Sequence, residues 1–61
     1  MAKLTEKELS VLEDLLNLEE LNVKKYNMLT QHVQDAALQQ KIQSFANAHQ
    51  QNFNMLFNHL N

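Results

Sequence analysis

Not one of the 61 residues is a glycine or a proline. Those two residues make most tight turns and interrupt most helices. A chain without them has few places to reverse direction, so the expectation is long helices joined by very few turns.

Two helices can be placed from their start signals and their periodicity. Thr5-Glu6-Lys7-Glu8 is a capping box with Thr5 as N-cap and Glu8 at the third helical position, and Leu4 and Leu9 flank it as a hydrophobic staple. Apolar side chains then recur at Leu9, Leu12, Leu16, Val23, Tyr26 and Val33, spaced so that they fall on one helical face. Val11, Leu15, Leu18 and Leu29 form a second, adjacent stripe. The two stripes together are wider than one partner helix can cover, so this helix calls for two neighbours.

A break is expected between His32 and Asp35. Asp35 suits the N-cap of a second helix opening with Ala36-Ala37-Leu38. That helix carries Leu38, Ile42, Phe45, His49, Phe53, Leu56 and Leu60 on one face, widened by Ala46, Ala48 and Phe57. The reading is therefore a single all-α domain over 1–61, with a helix over 6–32, a turn at 33–35 and a helix over 36–60. Each helix would run ~40 Å at 1.5 Å per residue. A short connection makes them antiparallel neighbours. Two such hairpins related by a two-fold axis make a four-helix bundle and bury the second stripe. One continuous helix in a parallel coiled coil is the competing reading, and the Asp35 cap argues against it.

Size points the same way. A chain this short buries only ~60% of its unfolded surface and is marginal alone. With no cysteine, neither disulfides nor the usual Cys-rich zinc sites can staple it, which leaves oligomerisation. The expected core and dimer-interface residues are Val11, Leu12, Leu15, Leu16, Leu18, Val23, Tyr26, Ile42, Phe45, Phe53 and Leu56.

Charge and hydropathy exclude some partners. The formal net charge of −2 gives no reason to expect a nucleic-acid binder. Uninterrupted apolar runs reach only three residues, so no membrane span is expected. The opening Met1-Ala2-Lys3-Leu4-Thr5-Glu6 turns charged before an apolar run develops, so no signal peptide is expected and synthesis should be cytoplasmic. Six of the seven acidic residues lie within residues 1–20, where the positive end of the first helix dipole favours them. Residues 39–61 are instead rich in neutral amides, among them Gln39, Gln43, Asn47, Gln50 and Asn54. Such a surface repels its own copies weakly, and it equally suits plain solvation.

Two polar residues interrupt the apolar faces. Glu19 lies midway between Leu12 and Tyr26, and His49 midway between Ile42 and Leu56. In an antiparallel hairpin, residues at equal height have numbers of constant sum. A turn centred near residue 34 gives a sum of about 68, which places Glu19 level with His49 and Tyr26 level with Ile42. A dimer could then gather two carboxylates and two imidazoles near its centre, ligand types that suit Zn²⁺ or another divalent metal. The plainer reading is a Glu–His hydrogen bond that fixes helix register, with no cofactor. Glu20, His32 and His59 read as solvated. No Cys nucleophile, Gly-rich phosphate loop or serine triad is present, and the phenylalanines read as core, so no enzyme is expected.

Several stretches carry a family resemblance: Leu12-Glu13-Asp14-Leu15-Leu16, Lys25-Tyr26-Asn27, Asp35-Ala36-Ala37-Leu38, and Phe45-Ala46-Asn47-Ala48-His49-Gln50-Gln51 followed by Phe53, Leu56 and Phe57. In this order the chain resembles, from Leu9 onward, the coat F family of small bacterial spore-coat proteins, which are ferritin-like. The resemblance implies a role in the spore coat or its assembly, contact with other coat proteins, and a half-bundle completed by another copy. Metal-loaded ferritin-like bundles take one Glu from each of two helices and Glu-x-x-His from each of the others. Glu19 matches the lone Glu and His49 the His, but Ala46 stands where the second Glu would be. That departure speaks against di-iron chemistry. Ala36 is often proline in the family, and this sequence has no Gly-Trp-Tyr type of tail. The expected function is a non-enzymatic structural protein. The alternative is a metal-binding module using Glu19 and His49 across the dimer, and a third reading is an adaptor that binds a partner helix in an apolar groove.

Overall fold

The computed structural model describes residues 3–60, and Met1, Ala2 and Asn61 of the expected domain lie outside them. The chain is an all-helical hairpin. Helix α1 spans Glu6–Thr30 and helix α2 spans Ala36–Phe57, followed by one 3₁₀ turn, Asn58–Leu60. With a principal extent of 46 Å, and 17 and 10 Å across, it is a plank a single layer of helices thick.

Both helix starts follow the sequence signals. The Thr5 hydroxyl accepts from the Glu8 backbone N–H at 3.0 Å, and the Glu8 carboxylate accepts from the Thr5 backbone N–H at 2.9 Å. Two donors that lack partners inside the helix are thereby satisfied. The Asp35 carboxylate accepts from the Leu38 N–H at 2.8 Å and opens α2 in the same way.

The reversal is made without glycine. No described residue has a positive φ, so the left-handed ending used by many helices is not used here. Instead the chain tightens, with Gln31 N–H donating to the Met28 carbonyl and His32 N–H to the Leu29 carbonyl. The Gln39 side-chain amide reaches back from α2 and donates to the Thr30 carbonyl at 3.3 Å and to the Val33 carbonyl. The Thr30 carbonyl at the end of α1 and the Val33 carbonyl in the connection thus gain a partner from a side chain of the next helix. Because the chain tightens to three-residue bonds from Gln31 on, α1 stops at Thr30 and not at residue 32, and the connection covers 31–35 and not 33–35. At the other end, residues 58–60 tighten into the 3₁₀ turn and do not continue α2 to residue 60.

The enclosed core is very thin. Among the described residues, only Leu12, Leu16 and Ala46 are buried. Val23, Tyr26, Ile42, Phe53 and Leu56 are half-buried along the seam between the helices. Ala46, at 2% exposure, is the most enclosed of all. A methyl side chain there lets the two backbones approach closely.

Candidate functional site

Helix periodicity places Glu19 on the seam side of α1, in line with Leu12, Leu16 and Val23. The same rule places His49 on the seam side of α2 beside Ala46 and Phe53. The structure brings them together, with the Glu19 carboxylate 2.6 Å from His49 Nδ1. The side chains are 14% and 27% exposed respectively, so the pair is sheltered and still reached by solvent. The Tyr26 ring stacks on the His49 imidazole, with centroids 5.4 Å apart and planes within 8°. On its other side Tyr26 meets Phe45 at 5.8 Å, tilted by 54°. An imidazole held by a carboxylate at one nitrogen and by a ring over its face has a fixed orientation.

This geometry gives the two residues different parts to play. With Nδ1 engaged by Glu19, the nitrogen left for a ligand is Nε2. A carboxylate bonded to the far nitrogen is the usual support of a metal-ligating histidine. As placed here, Glu19 orients His49 through Nδ1. Among the described residues, no three side chains of metal-ligating type come together within one chain. Ala46, one turn before His49, is too enclosed to be exchanged for a glutamate without separating the helices.

The other acidic and imidazole groups lie apart from this pair. Glu20 faces outward and pairs with Lys24 at 3.4 Å, both well exposed. His32 and His59 are exposed. Glu8, at the start of α1, has its carboxyl held below the usual carboxylate range, first by the Thr5 backbone N–H and then by the Thr5 hydroxyl.

Beside the Glu–His pair lies an open apolar surface. The second stripe of α1 is uncovered, with Val11 56% and Leu18 51% exposed, and Leu15 and Leu29 are exposed as well. From α2, Phe45 is 53% exposed and Leu38 is also open. The Tyr26–Phe45 contact shows that α2 adds to the side that α1 leaves open. Toward the N-terminal end of α1 this side becomes an open groove of about 410 Å³, lined by Leu4, Val11, Leu12, Leu15 and Leu56 with Lys7, Glu8 and His59 at its edges.

The opposite side carries most of the amides, with Phe57 half exposed among them. Gln43 donates to Asn27 Oδ1 across the helices at 3.3 Å and to Asn47 Oδ1 at 3.2 Å. Gln50 donates to Asn54 at 3.0 Å. The amide-rich composition and the two pairs four residues apart are visible in the sequence, but the bond from Gln43 to Asn27 is set by the helix packing. No helix among the described residues is long and apolar enough to cross a membrane. Comparison with protein-family models, with curated proteins and with solved structures finds no match.

Proposed function

We propose that the chain is a non-enzymatic structural protein whose working form is a homodimer, two hairpins closing into a ferritin-like four-helix bundle. The supporting observation is the uncovered apolar side bearing Val11, Leu15, Leu18 and Phe45. Its extent fits a dimer. The chain exposes 5018 Å², whereas a compact monomer of 7.1 kDa exposes about 4,100 Å². The difference, about 900 Å², is close to what one partner contributes to a standard protein interface. The resemblance to small spore-coat proteins makes coat assembly the proposed setting, with other coat proteins as neighbours. Native mass spectrometry of protein purified without chelator tests the bundle, and a metal-free dimer is the expected result. A tagged copy in sporulating cells tests the setting, and failure to enter the coat removes it.

A second reading rests on the oriented imidazole of His49, whose Nε2 is available to a divalent metal ion if the second copy brings another ligand near it. A dimer that carries one ion and loses it on His49→Ala establishes this reading and displaces the first.

A further inference from the structure

Resting on the dimer proposed above, the pattern on α1 goes further and selects one register. Among the exposed apolar residues, Val11, Leu15, Leu18 and Leu29 of α1 follow the alternating three- and four-residue steps of a heptad. Leu4, just before the helix, keeps the same spacing, while Leu9, Leu21 and Met28 lie off it. Three polar residues complete the same series: Glu8, Asn22 and Lys25. When α1 packs antiparallel on a copy of itself, positions of this series come level with one another only in registers one heptad apart.

We infer that two copies dock α1 against α1 antiparallel in the register that sets Leu15 against the partner's Leu18, Val11 against the partner's Asn22, and Glu8 against the partner's Lys25. Leu4 then meets the partner's Leu29. Every apolar position but Val11 faces a leucine, and the only two charged members of the series face each other with opposite sign. One carboxylate oxygen of Glu8 is held by the Thr5 N–H, and the other remains for the partner's Lys25. The Glu8 edge of the groove places this carboxylate beside the apolar surface, where the contact is needed.

Sliding by one heptad in one direction sets Val11 against the partner's Leu15 but buries Glu8 against the partner's Leu18. Sliding in the other direction gives the rival register. It sets Leu15 against the partner's Lys25 and Leu18 against the partner's Asn22, burying leucines against polar groups. It also leaves Glu8 without a cationic partner and shortens the overlap. An isolated exposed ion pair contributes little affinity, but charge matching discriminates well between alignments.

The chosen register has a chemical consequence. Its two-fold axis passes between Leu15 and Leu18, so the Glu19–His49 pairs of the two copies lie about 7.5 Å apart along the bundle. They form two separate pairs and not one four-ligand site. The rival register brings them to about 3 Å of each other in height.

The test uses the unmodified chain first. Glu8 and Lys25 are ~25 Å apart along one helix, so a zero-length carbodiimide link between them can only join two copies. The expected result is that link, found by mass spectrometry in the covalent dimer. Two double variants then read the register independently. Val11→Cys with Asn22→Cys should oxidise to a disulfide-linked dimer, while Val11→Cys with Leu29→Cys should not, circular dichroism reporting that both remain helical. Linking through the Leu29 variant instead overturns the proposal in favour of the rival register. A dimer that yields neither the Glu8–Lys25 link nor a disulfide overturns it in favour of another register or another face, with the dimer itself intact. A chain that sediments as a monomer removes the dimer and this register with it.

Discussion

The two sides of the hairpin solve the same problem in different ways. On one side, α1 and α2 present amides, and these amides bond to one another: Gln43 to Asn27 and Asn47, Gln50 to Asn54. The polar groups of that side find partners within one chain, although Phe57, at the same helical spacing as Gln50 and Asn54, is 50% exposed there. On the other side, Val11, Leu15, Leu18 and Phe45 stand open, and no residue of the same chain is placed to cover them. Apolar area of this kind is worth roughly 25 cal/mol per Å² when buried, so the second side acquires its value only in company. In the proposed dimer the dependent side is covered and the amide side is left facing water, on a plank 10 Å thick.

The largest test of this contrast places a charge on the dependent side. Leu18→Glu should weaken self-association by at least ~100-fold, since an unpaired carboxylate would be buried in the interface. Sedimentation equilibrium measures it, and an unchanged dimer would mean that this face is not the interface. Next comes the point where the two sides share a backbone. Ala46→Leu should destabilise the hairpin by ~1–3 kcal/mol through overpacking, read as a lowered thermal midpoint. Unchanged stability there would show that the helix seam is looser than Ala46 indicates.

The capping box at the groove edge predicts a smaller, pH-dependent effect. The Glu8 pKa is lowered from 4.5 in the folded chain, so its contribution is present above that value and lost as pH falls through the lowered one. Thermal unfolding should find the unmodified chain more stable than Glu8→Ala at neutral pH, with the gap closing on acidification. A gap that widens in acid would contradict the capping geometry. The smallest effect belongs to the amide side, where Gln43→Ala should change stability by no more than ~0.5 kcal/mol and leave association untouched. A large loss of dimer on that substitution would reverse the roles assigned to the two sides.

Local signals in the sequence were read well because their physics is local. The Thr5–Glu8 box and the Asp35 cap depend on residues three apart, and both form. The Glu19–His49 contact was legible from the constant-sum rule, because one short turn sets the level of every pair in the hairpin. The helix end at Thr30 was not, since the chain tightens at Gln31 and His32 through three-residue backbone bonds that no glycine or proline announces. By its spacing Ala46 merely widens an apolar face, yet it is the most enclosed of the described residues. Closeness of approach between two helices is a property of the pair and leaves little trace in either helix alone. The stacking of Tyr26 on His49 escaped for the same reason, because it depends on side-chain rotamers set by both helices.

The thin core has a consequence for how such a chain behaves as its amount changes. Three enclosed side chains, Leu12, Leu16 and Ala46, give one copy little reason to hold its shape. If the missing contacts come from a second copy, mass action ties folding to abundance, and dilution acts on the protein as a denaturant does. The thermal midpoint should then climb with concentration. Sparse copies would be open to proteolysis, and only a crowd of them would persist.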